Sequence, residues 1–231
     1  MLSLIKRIIS FVDPSQNSNF VGSQLRKPHG LLASKVASGM NLSNKALYET
    51  MIQNLKPNDY DNILEIGFGN GYYFNDIYET NDTINLLGVE ISREMLYECR
   101  KINHALISEN KLDIRLGTDN QLPFPADSID KVIAINLIYF WENPSASIDE
   151  IFRVLKSKGE VHIGIRPYNI LSKLPFAKNH FNIQTDNWWI NQFEKSGFIL
   201  TQEVTQSESP IIFNKESYEM CGKNLIFKKG K

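Results

Sequence analysis

Asn62-Ile63-Leu64-Glu65-Ile66-Gly67-Phe68-Gly69-Asn70-Gly71 decides the fold. Ile63 to Ile66 is an apolar run too short for a helix, and it breaks into three alternating glycines. A helical pattern follows over 73–80. A strand that ends in glycines and feeds a helix is the opening unit of an open α/β sheet. Glycine there permits positive φ and lets a ligand touch the backbone. A dinucleotide fingerprint needs its third glycine one residue later, to seat a pyrophosphate on the helix N-terminus. The spacing here is G-x-G-x-G, and the carboxylate of Glu65 repels a pyrophosphate and suits a cation.

Outward from this loop the pattern repeats. Apolar runs at 84–89, 112–116, 131–135 and 160–165 predict four more strands. Helices are predicted at 43–55 (capped by Ser43), 92–108 (capped by Ser92), 144–155 and 186–195. Residues 198–204 and 224–227 predict a C-terminal antiparallel pair. Short apolar runs separated by helices mean βαβ units and a parallel sheet covered on both faces. Ligands of such sheets sit beyond the carboxyl ends of the strands. Residues 13–19 read as a polar linker, and Lys27-Pro28-His29-Gly30 as a break before a more helical piece. The stretch 167–185 fits no regular element and reads as a lid or a substrate-specific insert.

The composition is that of an ordinary globular chain. Of 231 residues, 42% are hydrophobic and 22% charged, with net charge −1. This excludes collagen, coiled coil and wholesale disorder. A near-neutral chain lacks the field to hold a polyanion, so nucleic acid is disfavoured as a partner. Cys99 and Cys221 lack zinc-site spacing, and two thiols suit a reduced cytoplasmic setting. No apolar run reaches ~18 residues, so no spanning segment is expected. Residues 1–12 are apolar but carry Lys6 and Arg7, with no cleavage site after them. They do not read as a signal peptide, and a peripheral amphipathic helix stays open.

Further motifs follow the strands in order. Gly88-Val89-Glu90-Ile91-Ser92 places an acid at the end of the second strand, where it accepts hydrogen bonds from both hydroxyls of an adenosine ribose. Gly117-Thr118-Asp119 and Leu122-Pro123-Phe124 follow the third strand. Asn136-Leu137-Ile138-Tyr139-Phe140-Trp141 follows the fourth, and Ile151-Phe152-Arg153-Val154-Leu155-Lys156 leads to the fifth.

Taken together, this set resembles the class I S-adenosylmethionine-dependent methyltransferases, in particular bacterial small-molecule members of type 11. The resemblance spans 43–166. It implies a Rossmann-like, doubly wound sheet of about seven strands, mostly parallel with the last antiparallel. It implies that Glu65, Gly67, Phe68, Gly69 and Gly71 hold the methionine part of the cofactor. Glu90 would hold the ribose, and Ile91 would pack on the adenine. Where the family commonly has an acid for the adenine amino group this chain has Thr118, and the backbone N–H of Asp119 could serve instead. Asn136 would face cofactor or acceptor. Lys27-Pro28-His29-Gly30 and Gly39-Met40-Asn41 also resemble a segment that covers the cofactor, dividing the chain into a lid (1–42) and a methyltransferase domain (43–231).

The implied activity is methyl transfer from S-adenosylmethionine to a small-molecule acceptor, leaving S-adenosylhomocysteine. A non-catalytic module that binds the cofactor, and an NAD-dependent reductase, are the alternatives. Candidates for acid–base or acceptor work are His29 in the lid, Tyr139 after the fourth strand, Arg166 at the end of the fifth and His180 in the insert. His104 reads as a surface residue and His162 as core. No histidine pair has metal-ligand spacing, so no metal is expected. Acceptor identity and oligomeric state are not readable from these residues.

Overall fold

The protein is described by a computed structural model covering residues 18–213 and 216–230. The segment 1–12, where an amphipathic helix stays open, and most of the linker at 13–19 lie outside these residues. Ser18 already belongs to a helix, α1 (Ser18–Arg26). After a single turn at Gly30–Leu32 comes α2 (Ala33–Leu55). Then follow β1 (Asn62–Ile66), α3 (Phe74–Tyr78), β2 (Asn85–Glu90), α4 (Arg93–Ile102), α5 (His104–Ser108), β3 (Leu112–Leu116) and β4 (Ile129–Ile135). The chain closes with α6 (Pro144–Val154), β5 (Leu155–Ile165), α7 (Tyr168–Leu171), α8 (Asp186–Lys195), β6 (Phe198–Phe213) and β7 (Glu216–Lys229).

The seven strands form one sheet in the order β3-β2-β1-β4-β5-β7-β6. β1 pairs in parallel with β2 and β4, whereas β7 runs antiparallel to both β5 and β6. The expected Rossmann-like architecture, with its last strand reversed, is therefore the observed one. Strand alternation assigns the core to two faces. Leu64, Ile66, Val132 and Ala134 pack with Ile148 and Ile151 of α6 and Trp189 and Phe193 of α8. Ile63, Ile133 and Ile135 pack on the other face with Leu47, Met51 and Leu55 of α2 and with Phe74 and Cys99.

Several expected boundaries move. Ser43 is no cap: it lies inside α2, and its hydroxyl donates to the Met40 carbonyl at 3.1 Å. The division placed between 42 and 43 thus falls within one continuous helix. Gly39, Asn41, Ser43 and Asn44 cost that helix about 2–3 kcal/mol in propensity. Leu47, Met51 and Leu55 are fully buried and contribute about 1.5–3 kcal/mol each, so packing wins. Ser92 is a true cap, accepting from the Met95 amide at 3.2 Å. The helix it opens stops at Ile102 rather than 108, where buried Asn103 turns its amide to the carbonyls of Gly71 and Cys99. The helix expected at 73–80 is confined to Phe74–Tyr78, and β5 starts at Leu155, not 160. The irregular insert contains α7 and a turn at Pro175–Ala177. The C-terminal pair is a hairpin far longer than its apolar core.

Candidate functional site

Strand order reverses between β1 and β4, and their carboxyl ends open a cleft there. Gly67, Gly69 and Gly71 all take positive φ, at 70°, 59° and 67°. A Cβ on Gly71 would lie 2.3 Å from Cys99 Sγ, so this glycine is set by packing. A Cβ on Gly69 would meet nothing within 4 Å. Gly69 lines a cavity of about 70 Å³ together with Gly67, Phe68, Asn70, Glu90 and Asn136.

One buried carboxylate, Glu90, lines this cavity, and a second, Glu65, lies behind the lining residue Tyr48. Glu90 is 5% exposed and accepts from the amides of Gly69 at 3.0 Å and Ser92 at 2.8 Å. Glu65 is 2% exposed and accepts from the Tyr48 hydroxyl at 2.5 Å. Burial pushes both carboxyls up to about 7, against the hydrogen bonds that favour their ionised forms. Glu90 itself raises Glu65 further. Tyr48 in turn stacks on Tyr73, with ring centroids 3.8 Å apart, and the Tyr73 hydroxyl donates to the Asn41 carbonyl at 2.6 Å.

These residues fit S-adenosylmethionine, a cation with an amino-acid end and a ribose. Acids stand at the ends of both β1 and β2, Gly69 leaves backbone open to a ligand, and the Asn70 Oδ1 is buried on the cavity wall with no hydrogen-bond partner among the described residues. A buried acceptor of this kind is costly unless a donor meets it.

A larger cavity of about 200 Å³ adjoins the first, and Leu25, Met40, Asn44, Asn136 and Phe140 line both. Asn136 sits at the boundary in the left-handed region, with φ 51°. It donates from Nδ2 to Asn44 Oδ1 at 2.8 Å. Tyr139 and Arg166 belong to the larger cavity. The Tyr139 hydroxyl accepts from the Arg166 amide and donates toward Asn136 Oδ1 at 3.3 Å. Burial holds this hydroxyl well above the usual phenol range, so it serves as a hydrogen-bonding group rather than a base near neutral pH.

The structure thus gathers Gly67, Phe68, Gly69, Glu90, Asn136, Tyr139 and Arg166, with Glu65 behind Tyr48 and Gly71 locking the loop from below. It does not gather the rest. Ile91 is 40% exposed, Thr118 is exposed and donates to Asn120 Oδ1, and Asp119 accepts from Ser147; none lines the 70 Å³ cavity. His29 is exposed, its ring engaged by Gln24 and the Lys27 carbonyl, so it faces neither cavity as a base. His180 packs under Gly22 instead of lining the site. Arg166 is no surface charge: it is buried and paired with Glu208 of β6. His162 is buried as expected; among the described residues neither ring nitrogen has a hydrogen-bond partner, Nε2 lying 3.8 Å from Glu160 Oε2, and burial holds its pKa down.

Sequence reasoning missed Tyr48, Asn44 and Tyr73. For the first, the signal was a tyrosine next to Leu47 on the apolar stripe of α2, one residue off the core line toward the strand that carries Glu65. No three His, Cys, Asp or Glu groups among the described residues form a metal cluster. Nor is any described helix long and apolar enough to cross a membrane.

Residues 64–163 match the family model described as a methyltransferase domain. The chain is 30% identical to the uncharacterized methyltransferase YdaC of Bacillus subtilis over 128 residues, covering 55% of this chain and 68% of YdaC. It is 27% identical over 138 residues to 2-methyl-6-phytyl-1,4-hydroquinone methyltransferase 1 of Oryza sativa, covering 59% of this chain but only 40% of that enzyme. A methyltransferase of Haloferax volcanii, solved with the Trm112 activator, superposes with a TM-score of 0.75 at 18% identity, over 87% of this chain and 96% of that one. On fold, motif order and these relatives together, the chain belongs to the class I S-adenosylmethionine-dependent methyltransferases.

Proposed function

We propose that this protein methylates a small molecule, holding S-adenosylmethionine in the smaller cavity and the acceptor in the larger one. The observation that carries the reading is the junction: two cavities of different chemistry meet at Asn44 and Asn136, at the carboxyl ends of β1 and β4. The rice relative is named for a small-molecule acceptor, which supports the same class.

When bound, S-adenosylmethionine supplies a methyl group already activated on a positively charged sulfur. The chain must then position, shield and select. Glu65, through Tyr48, and the Gly67–Gly71 loop would hold the amino-acid end. Glu90 would exchange its backbone partners for the ribose hydroxyls. Ile91 and the Thr118–Asp119 turn lie past Glu90 at the ends of β2 and β3, where the adenine would extend. Asn136 would orient the acceptor atom. Alignment and water exclusion are the dominant requirements of such a transfer. Among the described residues neither cavity is lined by a histidine, and Glu90, at about 7, is the titratable carboxyl on the smaller cavity's wall.

The segment 18–42 acts as a lid in this reading. Pro28, Ala37 and Met40 roof the smaller cavity. The lid is latched to α4, where the Ser92 hydroxyl donates to the Pro28 carbonyl at 2.7 Å and Met95 packs on Ala33 and Ala37.

Calorimetric titration with S-adenosylhomocysteine tests the cofactor half. Micromolar binding is expected, followed by transfer of a labelled methyl from S-adenosylmethionine in an acceptor screen. No binding at millimolar ligand would sink the reading. Tight binding without turnover on any acceptor class would favour the non-catalytic module instead.

A further inference from the structure

The larger cavity carries information about the acceptor that the cofactor site does not, and the inference here rests on the methyl-transfer reading above. Its walls are apolar and come from four separate segments: Phe20 of α1, Val36 of α2, Leu174 and Phe181 of the insert, and Ile211 and Met220 of the C-terminal hairpin. Its buried cation is spent. Arg166 is 6% exposed and its guanidinium pairs with Glu208, donates to the Ser43 carbonyl at 2.7 Å and reaches the Cys221 carbonyl at 3.3 Å. Lys35 is not free either. Gln24 is turned back on the backbone and ring of His29. The hydroxyls of Ser43 and Tyr139 are engaged as well. Asn136 gives one amide hydrogen to Asn44 Oδ1 at the junction with the cofactor cavity, and the remaining amide N–H groups of this pair are the ones placed to meet a polar atom of a ligand.

We infer that the acceptor is a neutral, largely apolar molecule whose single polar end, the one methylated, points at Asn44 and Asn136, and that Glu208 determines this preference by neutralising Arg166. An arginine at the end of β5 would otherwise be the natural anchor for a carboxylate. With Glu208 in place, an acidic ligand must either displace a buried carboxylate or enter without a counter-ion, and both are costly. A neutral hydroxyl or ring suffers neither cost. Burying its apolar body against the six walls supplies the affinity.

Two probes of matched shape test the inference: 1-naphthol, neutral at pH 7, and 1-naphthoate, ionised there. Each is titrated by fluorescence into protein saturated with S-adenosylhomocysteine. Naphthol should bind the wild type at least tenfold more tightly. Part of any such gap is the intrinsic hydration of a carboxylate, so the variants carry the specific claim. In Glu208→Gln the gap should close to under threefold, because Arg166 is unmasked. In the doubly neutral Arg166→Met/Glu208→Gln it should return. Equal or tighter naphthoate binding to the wild type overturns the inference. So does binding of neither probe, or a gap indifferent to Glu208 in folded variant. If Glu208→Gln fails to fold, Glu208→Asp takes its place: the shorter carboxylate loosens its hold on Arg166, so the gap should narrow, and an unchanged gap overturns the inference. A wild type that does not bind S-adenosylhomocysteine breaks the methyl-transfer reading itself. One that binds it yet prefers naphthoate breaks only this inference.

Discussion

The smaller cavity is roofed by the α1–α2 segment, but its floor is the carboxyl ends of β1, β2 and β4, with peptide groups in left-handed turns and the ionisable Glu90. The larger one, a few residues away, is walled by side chains from α1, α2, the insert and the hairpin, and its one buried cation is already paired. The first is a backbone site on the rigid sheet edge, suited to a ligand of fixed chemistry. The second is a side-chain site assembled from excursions off the sheet, the part of an α/β fold that varies most cheaply. Function here divides in the same way: activation at the first, selection at the second.

The sharpest way to break this comparison is at the Arg166–Glu208 pair. Arg166→Met alone leaves Glu208 as an unpaired buried acid and should cost about 3–5 kcal/mol in chemical denaturation. Arg166→Met with Glu208→Leu removes both charges and should fall within about 1 kcal/mol of the wild type. Equal losses in the two would mean that the pair contributes little beyond shape.

At the other cavity, Glu90→Ala should weaken S-adenosylhomocysteine ten- to hundredfold, about 1.4–2.8 kcal/mol. Calorimetry reads this directly. The same substitution should leave naphthol binding to the larger cavity within twofold, if the two sites are as chemically separate as their linings.

That division also explains what was legible in the sequence. Glu65, the glycine loop and Glu90 lie within 26 residues of one another, and each is tied to a strand end that a short apolar run marks. Local pattern suffices for such a site. The larger cavity brings Phe20, Val36, Leu174, Ile211 and Met220 together across almost the whole chain, and no spacing rule joins them. Arg166 was visible as a strand-end charge. Its partner Glu208 was not, because β6 extends beyond its apolar run through a polar stretch that pairs with β7. Ser43 misled because Ser-Asn before an apolar stripe has the form of a cap. In the fold, burial of the Leu47–Leu55 stripe carries the helix through it.

A third test uses pH. Glu65 and Glu90 stand at about 7 in the folded chain and near 4.5 when exposed, so the native state holds their extra protons between those values. The stability they contribute is full below about 4.5 and is lost as pH rises through 7. Between pH 6 and pH 8 the ligand-free protein should lose about 1 kcal/mol per carboxylate. Glu65→Gln should at least halve that slope, since Glu90 still titrates. Because a cation favours the ionised acids, affinity for S-adenosylmethionine should rise over the same interval, opposite to stability. A flat affinity profile would separate the carboxylates from cofactor recognition.

The smallest effect probes the seam between the two regions. Ser92 belongs to the sheet edge, where its amide donates to Glu90 and its hydroxyl caps α4. The same hydroxyl also donates to the Pro28 carbonyl, in the segment that roofs the cofactor cavity. Ser92→Ala removes cap and latch together and should cost about 1 kcal/mol of stability. Ser92→Asp can still cap the helix through its carboxylate, but it cannot donate to Pro28 and adds a charge beside Glu90 and Glu94. If capping alone matters, the aspartate variant should recover most of the stability and also the cofactor affinity. If the latch orders the roof, stability should recover while affinity for S-adenosylhomocysteine stays several-fold low, with a faster off-rate in stopped-flow measurements. That second pattern is expected, since the Ser92 hydroxyl fixes the Pro28 carbonyl of the roof directly to the residue that follows the Glu90–Ile91 strand end.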